Sequence, residues 1–68
     1  HNMQFIIYLK STPVLTVCGI SDSGYSLHTN EDEALTFPTE EAALSASLEI
    51  PNSEPEFWGV RPKRRKDK

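Results

Sequence analysis

The side chains best suited to catalysis in this sequence are one thiol and, after His1, one imidazole. Cys18 and His28 fall on neighbouring predicted strands, so the topology allows contact between a nucleophile and a base. Cys18 lies among apolar residues, however, where burial favours the neutral thiol and removes its reactivity. His28 stands among polar residues, as a surface histidine does. We therefore predict no catalytic residue and no enzyme activity.

The sequence lacks the residue types and spacings that metal and nucleotide sites require. A soft metal needs several cysteine or histidine ligands, and this chain has a single cysteine. The acidic run at 30–33 lacks the spacing of an EF-hand loop, and three scattered glycines match no phosphate-binding motif. Glu40 and Glu41 are adjacent, so they diverge on a helix and cannot work as a catalytic pair. The sequence predicts no metal and no cofactor.

Charge is separated along the chain. Residues 1–60 carry one lysine and nine acidic residues, whereas residues 61–68 carry six basic residues and one acid. An acidic body can be steered to a basic groove on a protein that binds nucleic acid, although acidic surfaces also serve solubility alone. The residues predicted to supply such a contact are acidic, with three apolar or aromatic anchors: Glu31, Asp32, Glu33, Glu40, Glu41, Ile6, Tyr8 and Trp58.

The basic end of the chain supports a different interpretation. Six positive charges can neutralise phosphates and release counterions, which gives salt-dependent affinity for nucleic acid. The acidic body opposes this binding by repulsion. The residues predicted to act in this alternative are Arg61, Lys63, Arg64, Arg65, Lys66 and Lys68.

Hydrophobic patterning predicts a small α+β domain. Aromatic and β-branched residues mark four strands, at 4–10, 14–20, 25–29 and 56–60, the last with Phe57 and Trp58 on opposite faces. A helix is predicted over 40–49, capped by Thr39, with Leu44 and Leu48 one turn apart. Its alanines at 42, 43 and 46 are small enough for close packing on a sheet. The predicted fold is an antiparallel sheet of three to four strands, in the order β-β-β-α-β, with one helix on one face.

One helix covers only one face of a sheet, and the first strand is apolar on both. Phe5, Ile7 and Leu9 fall on one face, with Ile6 and Tyr8 on the other. The second strand likewise places Leu15 and Val17 opposite Val14, Cys18 and Ile20. A homodimer or a partner protein is predicted to cover the second face; loops and the 57–58 segment of the same chain are the alternative.

Length limits the protein to one domain with a thin core, too small to enclose a substrate. We expect residues 1–3 to be a cloning remnant ending in a start Met, residues 4–60 to form the domain, and residues 61–68 to form a flexible basic tail. No apolar stretch is long enough to span a membrane and no signal peptide is apparent. A single cysteine agrees with a reducing compartment, so a cytoplasmic location is expected.

The run F-P-T-E-E-A-A-L at 37–44 follows a predicted hairpin and an acidic loop. Through Phe37, Thr39, Glu41 and Ala42 it resembles the phrase that caps a helix on a small sheet in single-domain accessory proteins of bacteriophages and mobile elements. Such proteins commonly bind and block a host machine, as anti-CRISPR and anti-restriction inhibitors do. The resemblance implies an inhibitor or regulator in the host cytoplasm and assigns no functional residue.

These observations together predict a non-enzymatic protein-binding module. Its acidic surface would face a basic partner that binds nucleic acid, as a phage-type inhibitor would. Two alternatives remain: a small nucleic-acid-binding protein acting through the basic end, and a dimeric structural protein with no dedicated ligand.

Overall fold

A four-stranded antiparallel sheet with one helix packed on it forms the domain. The computed structural model describes residues 3–64, and its strands are β1 (Phe5–Leu9), β2 (Leu15–Ser21), β3 (Gly24–His28) and β4 (Trp58–Pro62). The helix α1 spans Glu40–Leu48, and short 3-10 turns lie at Glu31–Glu33 and Pro55–Phe57. The strand order is β3-β2-β1-β4, with every pairing antiparallel. The predicted α+β class and its β-β-β-α-β order are confirmed.

The helix begins where the sequence predicts. Thr39 has an extended backbone, and its Oγ1 accepts a hydrogen bond from the Ala42 N–H at 3.1 Å. Glu40 and Glu41 in the first turn complement the positive end of the helix dipole. α1 then packs across β1 and β4.

The face of α1 that meets the sheet is made of small residues. Ala43 is fully buried and Ser47 nearly so, and the Ser47 hydroxyl is satisfied by donating to the Leu44 carbonyl at 2.7 Å. Leu44 and Leu48 lie on the outer side, 47% and 68% exposed. The large side chains of the core come instead from the sheet and from the segment just after the helix C-cap: Ile7, Val17, Trp58 and Ile50.

Alternation along β2 is interrupted. The register of β2 against β3 shifts between Val17 and Gly19, which is a β-bulge. Because the bulge adds a residue, Ile20 packs against the same core as Val17. The predicted placement of Val17 and Ile20 on opposite faces is therefore wrong.

The second face of the sheet is closed at its centre by this chain alone. Ile6 is fully buried there, and Thr16 is 2% exposed with its hydroxyl donating to the His28 carbonyl at 3.0 Å. The cross-strand neighbour of Ile6 is Arg61, whose side chain lies over this face. A second chain is thus not needed to bury Ile6.

Strand β4 continues through Arg61 and Pro62, beyond the predicted domain boundary at residue 60. The Lys63 N–H donates to the Gln4 carbonyl at 2.7 Å, and the Lys10 N–H donates to the Phe57 carbonyl at 2.9 Å. Hydrogen-bonded pairs alternate along an antiparallel ladder, so these bonds make Phe5 and Pro62 a non-hydrogen-bonded pair. Pro62 therefore needs no backbone N–H directed toward β1. The remaining residues of the predicted flexible tail, 65–68, lie outside the described part of the chain.

α1 has nine residues, and no helix within residues 3–64 is long and apolar enough to cross a membrane.

Candidate functional site

Two leucines project from the outer side of α1, and the helix with its C-cap also carries three exposed carboxylates. Leu44 and Leu48 are four residues apart, so their side chains are neighbours on the helix surface. Glu40 and Glu41 lie at the N-terminal end and Glu49 is the C-cap residue, and all three are exposed. We call these five residues the α1 surface. It offers two large apolar side chains and three negative charges, with no basic residue on the helix.

The sequence contains a signal for this orientation that a count of leucines overlooks. Ala43, Ala46, Ser47 and Ile50 follow the spacing i, i+3, i+4, i+7 of a single helix face. All four are buried or packed against the core. Small side chains along this stripe let the helix lie close to the sheet, so the leucines must project away from it.

Glu31 lies apart from the α1 surface, on the opposite face of the sheet. Its Oε1 is 3.3 Å from Arg61 Nη1 and 3.4 Å from Arg64 Nε. Its Oε2 accepts the Arg64 backbone N–H. The Glu31 side chain is only 15% exposed, so two guanidinium groups and an amide enclose the carboxylate.

The five predicted acidic residues are therefore divided between two places. Glu40 and Glu41 are exposed on α1, whereas Glu31 is enclosed by basic groups of its own chain. Asp32 and Glu33 are exposed on the 3-10 turn. Asn30 caps this turn, and its Oδ1 accepts the Asp32 N–H at 2.9 Å. Glu40 and Glu41 lie one helical turn before Leu44, which is exposed.

The environment of Glu31 sets the direction of its pKa. Partial burial alone would raise the pKa, but the Arg64 N–H and the positive charges of Arg61 and Arg64 outweigh it, so the pKa is lowered from 4.5. A carboxyl whose pKa is lower in the folded state than in the unfolded state stabilises the fold when the pH is above its unfolded-state pKa. This stabilisation is lost as the pH falls through its folded-state pKa.

We expect Glu31→Gln to lower the free energy of unfolding at pH 7 because it removes the ion pairs with Arg61 and Arg64. The loss should be only about 1 kcal/mol, since Arg64 is mostly exposed and solvent screens its charge. The difference from wild type should shrink as the pH falls below about 4.5, the ordinary value for this carboxyl. Urea unfolding at several pH values measures it. Glu33→Gln, on the same turn, is the matched control and should leave stability unchanged; equal losses in both variants would contradict the ion-pair account.

The three predicted apolar anchors differ in accessibility. Ile6 is fully buried and Trp58 is 6% exposed, so neither side chain is presented to a partner. Tyr8 is half-buried, and its ring lies against Gly59, where an added Cβ would overlap it. The Arg61 guanidinium is 5.6 Å from the Tyr8 ring centroid. Of the three, Tyr8 alone has a surface that another molecule can reach.

Basic residues gather beside Tyr8. Arg61, Lys63 and Arg64 line an open groove with Tyr8, Val14 and Pro62. The other residues predicted for nucleic-acid binding, Arg65, Lys66 and Lys68, lie outside the described part of the chain.

Within residues 3–64, the Cys18 thiol and the His28 imidazole share no hydrogen bond. His28 Nδ1 accepts the Asn30 N–H at 2.9 Å, which occupies this nitrogen with a local turn. Cys18 is half-buried in β2. Within residues 3–64 there is also no group of three acidic, histidine or cysteine side chains arranged to hold a metal ion.

Comparison with known proteins found no matching family model, no similar curated protein and no similar solved structure. The α1 surface stands out because its two leucines are turned away from a core that has few large residues.

Proposed function

We propose that this protein is a non-enzymatic protein-binding module that docks its α1 surface on a basic partner protein. The observation that carries the proposal is the exposure of Leu44 and Leu48, 47% and 68%, in a domain whose core is small. Exposed apolar residues rimmed by charge are typical of interaction sites. Two leucines one turn apart are the kind of apolar anchors by which a helix binds in a groove of a partner protein.

Charge favours a basic partner over a second copy of the chain. The helix and its C-cap carry three exposed carboxylates and no basic residue, so two copies packed through α1 would find no opposite charge on each other's helix. A cationic groove would instead attract all three. Glu49 also stands at the C-terminal end of the helix, where the dipole disfavours an acid, so its presence gives α1 no local stability.

The partner chemistry that fits best is the phosphate-binding groove of a protein that handles nucleic acid. Carboxylates on a rigid helix can occupy the cationic sites that phosphates would otherwise fill. A partner whose groove is filled by α1 could not bind nucleic acid there. The resemblance of residues 37–44 to phage accessory proteins, which commonly block a host machine, supports the same role. The proposed outcome of binding is therefore inhibition of the partner.

The test is affinity capture from a nuclease-treated bacterial lysate with quantitative mass spectrometry, comparing wild type with Leu44→Gln/Leu48→Gln. We expect a basic protein to be enriched on wild type and absent from the double variant. Phe57→Gln is the matched control, because it removes an apolar side chain of similar exposure, 41%, that lies outside α1. Capture that survives the double variant, or that falls equally with Phe57→Gln, would refute docking through α1.

The electrostatic part of the proposal has a separate test on the captured partner. Glu40→Gln/Glu41→Gln should weaken binding and reduce its salt dependence, because two attractive charges are removed from the surface. Glu54→Gln/Glu56→Gln is the matched control, since it removes two exposed carboxylates that lie outside α1. Equal effects from both pairs would indicate that net charge alone matters.

A further inference from the structure

The Glu31 carboxylate occupies a position that resembles an anion-binding site. Three nitrogen atoms approach Oε1, namely Arg61 Nη1 at 3.3 Å, Arg64 Nε at 3.4 Å and Arg64 Nη2 at 3.4 Å. Oε2 accepts the Arg64 backbone N–H. Guanidinium groups and backbone amides that converge on two oxygens are also the donors that hold a phosphate.

We propose that the groove beside β4 binds single-stranded nucleic acid and that Glu31 is an internal anion which a phosphate displaces. The groove is lined by Tyr8, Val14, Arg61, Pro62, Lys63 and Arg64, and we call it the β4 groove. Its three cations outnumber the single carboxylate of Glu31. In the sequence, three further basic residues and one acid follow Arg64.

Apolar side chains in the β4 groove favour a single strand over a duplex. Tyr8 is half-buried, while Val14 is 47% exposed and Pro62 is exposed beside it. Unpaired bases can lie against such aromatic and aliphatic surfaces, whereas a duplex presents mainly its phosphates. An acidic peptide would satisfy the cations but has no bases to lie against Val14, Pro62 and the exposed part of Tyr8.

The β4 groove is independent of the α1 surface. α1 packs on the face of Ile7 and Trp58, whereas Tyr8 and Arg61 lie on the opposite face of the sheet. The two surfaces also have opposite charge. One chain could therefore contact a basic protein through the α1 surface and a single strand through the β4 groove.

The experiment is a fluorescence anisotropy titration of the purified full chain with a short labelled oligothymidine at several salt concentrations. Lys63→Glu should weaken binding about tenfold and lower the salt slope by about 0.7 for each phosphate that the variant no longer neutralises. Lys10→Glu is the matched control, because it makes the same charge change at the opposite end of β1. Equal effects of the two variants would overturn the assignment to the β4 groove.

Glu31→Gln tests the role of the internal anion. This variant should bind the oligothymidine about threefold more tightly than wild type, because the competing carboxylate beside two arginines is removed. Glu33→Gln removes the same charge from the same turn and should change affinity less. A gain that is no larger for Glu31→Gln than for Glu33→Gln would refute displacement of Glu31, and circular dichroism establishes that each variant is folded.

Competition by a duplex and by polyglutamate decides the class of ligand. We expect both to compete more weakly than an unlabelled single strand at equal charge. Polyglutamate that competes as well as the single strand would overturn recognition of nucleic acid, and equal competition by the duplex would overturn the preference for single strands. No detectable binding by wild type at low salt would reject the whole proposal, and it would leave docking through α1 unaffected.

Discussion

Replacement of Trp58 by alanine is expected to unfold the domain. Trp58 is 6% exposed, its Nε1 donates to Ser53 Oγ at 3.0 Å, and its ring meets Tyr25 edge to face at a centroid distance of 5.2 Å. Truncation of a buried Trp to Ala costs about 3–5 kcal/mol. A core of this size supplies about 3–5 kcal/mol of net stability, so the substitution removes most or all of it and leaves the variant without a clear folded baseline.

Phe57→Ala is the matched control for Trp58→Ala. Phe57 is the preceding residue and is also aromatic, but its side chain is 41% exposed. The control should retain a cooperative urea transition with a modest shift of its midpoint, whereas Trp58→Ala should show none. If the tryptophan variant unfolds cooperatively near the wild-type midpoint, Trp58 does not support the core.

Ala43→Leu is the second substitution with a large expected effect. Ala43 is fully buried where α1 meets the sheet, so three added carbon atoms would force the helix away from β1 and β4. Overpacking of this kind costs about 1–3 kcal/mol, which is much of the net stability of a small domain. Ser45→Leu adds a leucine at an exposed helix position and should cost little. Thermal unfolding followed by circular dichroism compares the two variants, and equal melting temperatures would contradict the observed helix orientation.

The fold was predictable where local chemistry decides it. Pro13 and the polar turn at 21–24 bound the first strands, and Thr39 is at the N-cap of α1 as its side chain predicts. Trp58 is buried and Phe57 is exposed, but the predicted strand over 56–60 is wrong at its start, because Phe57 belongs to the Pro55–Phe57 3-10 turn and β4 begins at Trp58. Alternation along a strand therefore does not explain this difference.

Contacts between distant residues were not predictable in the same way. The bulge in β2 moves Ile20 onto the core face, and no residue type in β2 requires a bulge at that point. Glu31 and Arg64 are far apart in sequence, and only the pairing of β4 with β1 brings the basic residues to the acidic turn. From its sequence neighbours alone Glu31 is a free surface acid, although two arginines enclose it in the fold.

The candidate site lies between these two cases. Glu40 and Glu41 were identified from the sequence and are exposed on α1. The exposure of Leu44 and Leu48 was not predicted, because it depends on which face of the helix packs on the sheet. That side is decided by how closely α1 approaches the sheet, and alanine and serine allow a closer approach than leucine. The stripe at 43, 46, 47 and 50 encodes this preference.

The outward orientation of the two leucines is the central claim, and urea unfolding of Leu44→Gln/Leu48→Gln tests it most directly. Glutamine matches leucine in helix propensity, so the substitution changes polarity with little effect on the helix itself. We predict a free energy of unfolding within about 0.5 kcal/mol of wild type, as for other surface changes. A decrease of about 4 kcal/mol or more would mean that the leucines are core residues, and the α1 surface would then not exist.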